Sequence, residues 1–304
     1  MKSRLNKLGL LWCPPGSGRH STLVSHAANP LPILLDNDTY RIFYSGRDAQ
    51  NRSSVGAVDI DVVTREIVSE HGQPFFEHGA PGSFFADGVS IGNCYEANGN
   101  RYILFMGWQA PAQGHWRGDV GRLIVTDELT LRLDSDKPFM EASAEDPISL
   151  SYPWVLKDAS GGYRMWYGST RTWDAGNGDM LHVINRASSL DGDHWVREGL
   201  AVPYELGRAQ AFSRPTVIGN ETQGFEMWFS YRKGGGDKYR IGYAVSRDGN
   251  EWTLDLDNAG IDVSDTGWDS EMIEYPLVFE HKGLRYMLYN GNGYGKTGFG
   301  LAVS

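Results

Sequence analysis

Two carboxylic acids, Asp87 and Glu274, stand just ahead of apolar, β-type runs, Gly88-Val-Ser-Ile and Tyr275-Pro-Leu-Val-Phe. Two carboxyls on facing elements can open an acetal. One protonates the departing oxygen and the other acts as base or nucleophile, at ~5–5.5 Å separation for retention or ~6.5–9.5 Å for inversion. In this pattern Glu274 suits the proton donor and Asp87 the base or nucleophile. The bland alternatives stand beside this: Asp87 as a cap of the turn before Gly88, Glu274 as the partner of an arginine. Polar and aromatic residues recur at comparable places. His26 and Asn29 precede Pro30, with Arg47 and Asp48 after the next run, and Trp108 follows the run from Tyr102. Tyr152 precedes Pro153, with Arg171 and Trp173 beyond, and Arg214 precedes Pro215, with Tyr231 beyond. Glu271 lies just before Glu274, and Asn290 ends the last such run. Aromatic rings can cover C–H faces of a small polar ligand while carboxylates, Asn and Arg bind its hydroxyls. Arg47, Arg52, Arg171, Arg214 and Arg232 can either pair with these acids or bind a carboxylate or phosphate in bidentate fashion.

These residues gather only if the chain repeats, and it does. AANPLPILL, FADGVSIG, LSYPWVLK, FSRPTVIG and IEYPLVFE share a small or polar start followed by an apolar run. Their anchors, Pro30, Gly88, Pro153, Pro215 and Pro276, are 58, 65, 62 and 61 residues apart. A second run opens at Tyr40, Tyr102, Tyr163, Phe225 and Tyr286, ten residues after the anchor except in the second repeat, where fourteen suggests a longer turn. A third run follows each, and two of these lead into Ser189-Leu-Asp-Gly-Asp-His-Trp195 and Ser246-Arg-Asp-Gly-Asn-Glu-Trp252. Asp-Gly suits a tight turn because Gly takes positive φ cheaply. Five repeats of three or four strands predict an all-β, five-bladed β-propeller in one domain, residues 1–304. The fifth repeat has no fourth run, and Lys7-Leu-Gly-Leu-Leu-Trp-Cys-Pro14 resembles Arg197-Glu-Gly-Leu-Ala-Val-Pro203. The N-terminal strand is therefore expected to close the last blade. Strand starts would then converge at one mouth of a central channel.

Composition narrows the partners. The chain of 304 residues is 40% hydrophobic and carries a net charge of −10, which disfavours nucleic acid and anionic membrane. Cys13 and Cys94 cannot build a disulfide framework. The apolar stretch from Leu8 to Cys13 is short for a signal-peptide core, so a cytoplasmic location is expected. His26, His115 and His182 are too scattered for a metal motif, and neither a metal nor another cofactor is expected. His182 reads as a packed strand residue.

The x-Pro-x-Val starts, the Tyr-x-Met-Trp-Tyr runs and the Ser-x-Asp-Gly-x-x-Trp turns resemble the five-bladed propeller glycosidases, relatives of glycoside hydrolase families 32, 43, 68 and 130. SHAANP, GRDAQNRSSVG, DMLHVI, FSRP, DSEMIEYP and YNGNGYGKTGFGLA resemble more closely a group of uncharacterised bacterial proteins from surface-polysaccharide gene clusters. The resemblance implies a carbohydrate-active, glycoside hydrolase-like protein acting on a glycosyl unit of a small neutral or anionic sugar or sugar phosphate in the central funnel. It does not carry over catalytic residues. Family 43 has Asp before the first proline and Glu before the fourth, where this chain has Asn29 and Ser213-Arg214. Family 32 has Asn-Asp-Pro where this chain has Asn29-Pro30. Two readings therefore stand beside hydrolysis or transfer: a noncatalytic carbohydrate-binding propeller in polysaccharide biosynthesis, and a glycoside phosphorylase using inorganic phosphate.

Overall fold

The computed structural model describes residues 4–15 and 18–304. In chain order the strands are β1 (Asn6–Trp12), then β2 (Ser25–Asp36), β3 (Thr39–Arg47), β4 (Ser53–Asp61) and β5 (Ile67–Glu70). Next come β6 (Gly88–Ala97), β7 (Asn100–Gln109), β8 (Arg117–Val125) and β9 (Leu131–Leu133), then β10 (Leu150–Lys157), β11 (Tyr163–Thr172), β12 (Leu181–Ser189) and β13 (Val196–Leu200). The last are β14 (Gln210–Asn220), β15 (Gly224–Arg232), β16 (Arg240–Ser246) and β17 (Thr253–Leu254), followed by β18 (Glu274–His281), β19 (Leu284–Asn290) and β20 (Phe299–Val303). Among the described residues helix is confined to the turns Leu256–Asn258 and Asn292–Gly295. None is long and apolar enough to cross a membrane.

Each repeat is an antiparallel meander. β10 to β13 and β14 to β17 form separate sheets. β2 to β5 and β6 to β9 are joined only by the parallel pairing of Ser53 with Gly88. The turns after β12 and β16 use the same bonds. Ser189 Oγ accepts the N–H of Gly192, and Ser246 Oγ that of Gly249, both at 2.8 Å. Asp191 and Asp248 accept the next two N–H groups, and Gly192 and Gly249 have φ of 78° and 76°. Trp195 and Trp252 then lead into the outer strands.

The apolar clusters lie between successive meanders. Phe43 packs with Val89 and Phe105, Leu104 with Met165, Trp166 with Phe225, and Trp228 with Met287. Leu288 and Phe299 of the last meander pack with Tyr40 and Tyr44 of the first. β1 is the outer strand beside β20, pairing Asn6 with Val303 and Trp12 with Phe299. Trp12 is buried against Tyr44 at 4.7 Å, and Arg19 lies 4.6 Å over its ring.

The inner strands share one irregularity. Ala28, Ser151, Ser213 and Glu274 lie opposite Ser45, Gly168, Ser230 and Asn290, and a register shift follows each. The next residues, Asn29, Tyr152, Arg214 and Tyr275, have φ of 57°, 33°, 47° and 52°. Each precedes a proline, which lacks an N–H for the ladder. Non-glycine residues in this region cost of order 1–3 kcal/mol. In the second repeat the same shift falls after Ile91, opposite Phe105. The anchor there is thus Gly92-Asn93, not Gly88, and the expected longer turn is a shorter hairpin closing at Ala97 and Asn100. Without proline in this repeat, sequence spacing had no fixed mark to align on.

Because Trp12 joins the first and last meanders, Trp12→Ala should cost about 3–5 kcal/mol, the usual loss for a large buried aromatic. Urea unfolding measures it, and an unchanged midpoint would show that β1 is dispensable to the fold.

Candidate functional site

The converging strand starts and the loops between second and third strands enclose a cavity of about 580 Å³. Arg47 and Asn51 come from the β3–β4 side, and Trp108, His115 and Trp116 from the β7–β8 side. Trp173 and Asp179 belong to the β11–β12 loop, while Arg232 ends β15 and Tyr239 precedes β16. Tyr294 completes the rim from the turn after β19, and Ser151, Tyr152, Ser213 and Tyr275 line the inner strand starts. One wall is aromatic: His115 stacks on Trp173 at 4.6 Å, and Trp116 meets Trp173 edge-on at 4.9 Å.

Glu274 is completely buried, and neither carboxyl oxygen has a hydrogen-bond partner. Burial raises its pKa well above 4.5, against the opposing pull of Arg47 and Arg232. Its register position is occupied elsewhere by Ala28, Ile91, Ser151 and Ser213, so it is the sole acid in that ring of equivalents. An alternating strand would send Glu274 and Tyr275 to opposite sides. The bulge relaxes that alternation, and both approach the centre.

Asp179 is the carboxylate that lines the cavity. Its Oδ1 accepts from Arg232 at 2.7 Å and from the Met180 N–H at 2.8 Å, while Oδ2 is buried and unpartnered. His182 is buried between two hydroxyls, Ser151 Oγ and Thr170 Oγ1, each at 2.7 Å. Burial, with a smaller push from Arg232, lowers its pKa to about 3, so it is neutral. Among the described residues no three His, Cys, Asp or Glu side chains gather as a metal-holding group.

Of the residues expected from sequence, Arg47, Trp108, Tyr152 and Trp173 line the cavity; Glu274 does not line it but lies behind the lining next to Tyr275, within electrostatic reach of Arg47 and Arg232. The others have different duties. Asp87 does not line it; its Oδ2 accepts the Ala110 N–H at 2.8 Å, capping the end of the β6–β7 pair. That follows from the corrected register, which puts Ile91 at the bulge. Asp48 binds the N–H groups of Gln50 and Arg52 and the Arg52 side chain, folding its own loop. Arg171 reaches Glu145 O and Asn185 Oδ1. Arg214 is buried and donates to three backbone carbonyls, Tyr275 O at 2.7 Å, Pro276 O at 3.4 Å and Pro30 O at 2.8 Å, so it is not free to grip an anion. Asn290 accepts the Asn29 N–H at 2.9 Å and donates to Ala27 O and Gly298 O. Tyr231 is buried in the cluster around Phe229. Glu271 is exposed, and its carbonyl rather than its carboxylate meets Arg240. His26 is half-buried beside Ser25; burial, then Arg47 and Lys296, lower its pKa to about 4. Tyr239 and Trp116 carried no sequence signal, since they sit in loops of unequal length outside the repeated strands.

The fold is that of the glycoside hydrolase-like β-propellers. A BT0996 RGII complex superposes with a TM-score of 0.73 at 15% identity, covering 98% of this protein and 91% of that one. A structure described under the GH130 family of mannoside phosphorylases, containing hydrolases of β-1,2 mannosidic linkages in Candida mannan, gives 0.72 at 12%, covering 98% and 93%. An endo-arabinase from Bacteroides thetaiotaomicron gives 0.63 at 14%, covering 95% and 96%. No family model matches the sequence. The chain belongs to the family of the Mycobacterium tuberculosis proteins "Uncharacterized protein MT1551" and "Uncharacterized protein Rv1502", each 42% identical over 299 residues and covering 98% of both proteins.

The raised pKa of Glu274 makes stability depend on pH. Above 4.5 the unfolded chain releases this proton while the folded one keeps it. Stability is therefore full below that value and is lost as pH rises, at about 1.4 kcal/mol per unit until the folded group ionises. Glu274→Gln should melt higher than the parent at pH 8 and match it near pH 4. A melting difference that does not change with pH would contradict a protonated Glu274.

Proposed function

We propose that the protein is a carbohydrate-active, glycoside hydrolase-like enzyme. In this reading it is a five-bladed propeller closed by β1 that cleaves or transfers a glycosyl unit in the central cavity. The observation that carries the reading is Glu274. A buried carboxyl with neither oxygen bonded is costly to retain, and a general acid needs that desolvated, protonated state at neutral pH. Glu274 protonates the departing oxygen. The second carboxyl is Asp179 rather than Asp87. It lines the cavity with one unpartnered oxygen while the other accepts from Arg232, a placement that suits a base or nucleophile. Tyr239 and Tyr294 each lie within electrostatic range of both acids, which supports their sharing one site. The Trp173–His115–Trp116 wall supports stacking of a sugar ring. Similarity to glycoside hydrolases and phosphorylases supports the chemistry at the level of fold.

Sugar binding without turnover is the second reading, favoured by the commitment of Asp87 and Asp48 to backbone N–H groups. Aryl glycosides separate the two. Glu274→Gln should cut turnover by about 10²–10⁴-fold, with partial rescue by an activated leaving group that needs no proton. Asp179→Asn should be equally damaging without rescue, whereas Asp87→Asn should keep most activity. Full activity in the Glu274 variant would remove it as the acid. Sugar binding with no turnover of any glycoside would select the binding reading.

A further inference from the structure

The charges lining the cavity do not balance. They are the guanidinium groups of Arg47 and Arg232 and the carboxylate of Asp179, with imidazoles at His115 and His182. Arg232 spends one nitrogen on Asp179, lies 4.7 Å over the Tyr239 ring, and keeps a buried Nε with no partner. Arg47 bonds only the neutral Asn51 Oδ1, at 2.7 Å, and among the described residues no carboxylate lies within salt-bridge distance of it. Glu274 lies within electrostatic reach of both arginines, yet neither of its carboxyl oxygens bonds to them, and burial pushes its pKa upward, away from the charged form. His182 is neutral as well. One positive charge is left over in a half-enclosed site of a protein whose net charge is −10. Arg47 is only partly buried, so its unpaired guanidinium remains open to a ligand entering the cavity. The general field of the protein repels anions, so this site is a local exception to it.

Resting on the glycosyl reading of the cavity, we infer that Arg47 and Arg232 form a clamp for a single negative charge, the carboxylate of an acidic sugar of the uronic type. Arg47 comes from the first repeat and Arg232 from the fourth, so the clamp approaches the ligand from two sides of the cavity. The planar guanidinium fork matches a carboxylate in two parallel hydrogen bonds. One carboxylate cancels the surplus, whereas phosphate, at about −1.5 to −2 near pH 7, overshoots it. Arg171 and Arg214 take no part, since both are bonded to groups of the scaffold. The clamp holds the acid group beside Glu274 and leaves the aromatic wall for the rest of the ring.

Calorimetric titration of the full chain at low salt tests this with glucuronate and galacturonate against glucose, galactose and inorganic phosphate. At least one uronate should bind about tenfold or more tightly than its neutral parent. Arg47→Gln should erase that preference while leaving neutral-sugar binding within about threefold, and Arg47→Lys should restore part of it. An unchanged melting temperature of the unliganded variants excludes a folding defect. If they do not fold, the uronate-to-neutral comparison on the parent protein decides alone. Equal binding of uronates and neutral sugars, no sugar binding at all, or a preference indifferent to Arg47 would overturn the clamp. Phosphate binding more tightly than either uronate would overturn the carboxylate assignment. Turnover of neutral glycosides with no uronate preference would sink the clamp but keep the enzyme. Arg47-dependent uronate binding without turnover of any glycoside would keep the clamp and sink the enzyme.

Discussion

Arg214 is the contact on which the centre of the molecule depends. Its guanidinium is buried and has no carboxylate partner; it donates instead to carbonyls of Tyr275 and Pro276 in the last repeat and Pro30 in the first. Burial draws its pKa down to about 9, which still leaves it charged at neutral pH. Three repeats are thereby tied at the point where their inner strands bulge, and prolines supply two of the three carbonyls. The same carbonyls would be unsatisfied in a dry interior without it, and an unsatisfied buried acceptor costs about 1–3 kcal/mol. The peptide that Arg214 grips follows Glu274 directly, so the staple also sets where that acid stands.

The bulges turn this scaffold into a site. Three of them are joined to their neighbours by a side chain on the facing second strand. Ser45 Oγ accepts the Ile91 N–H, Ser230 Oγ that of Tyr275, and Asn290 Oδ1 that of Asn29. Two of these bonds hold left-handed residues before prolines, Asn29 and Tyr275, and help the structure tolerate their strain. In return two consecutive side chains approach the axis where an ordinary strand would offer one. Tyr152 and Tyr275 pack 5.4 Å apart there.

The cavity is consequently built from two unlike layers. Its inner part is buried: His182 lines it and Glu274 lies behind it, and burial disfavours the charged form of both. Its rim, made by loops after the second strands, carries Arg47, Arg232 and Asp179 beside stacked aromatics.

By itself the sequence determined the repeating all-β pattern, because proline anchors, aromatic runs and Ser-x-Asp-Gly turns are local signals with local causes. It also pointed to β1 as a partner of the last repeat, and to Arg47, Trp108, Tyr152 and Trp173, which line the cavity. It misplaced Asp87 because the second repeat lacks the proline, and a bulge moves register without leaving a mark in spacing. Arg214 was assigned to ligand for the same kind of reason: a sequence shows that an arginine is near the centre but not which carbonyls surround it. Only the tertiary structure decided the partners of Asp48, Arg171 and Asn290, the return of Asp179 and Arg232 to one wall, and the isolation of Glu274 from any hydrogen bond. Those facts depend on which side chains from distant repeats exhaust one another's donors and acceptors, and pairing of that kind is settled in three dimensions.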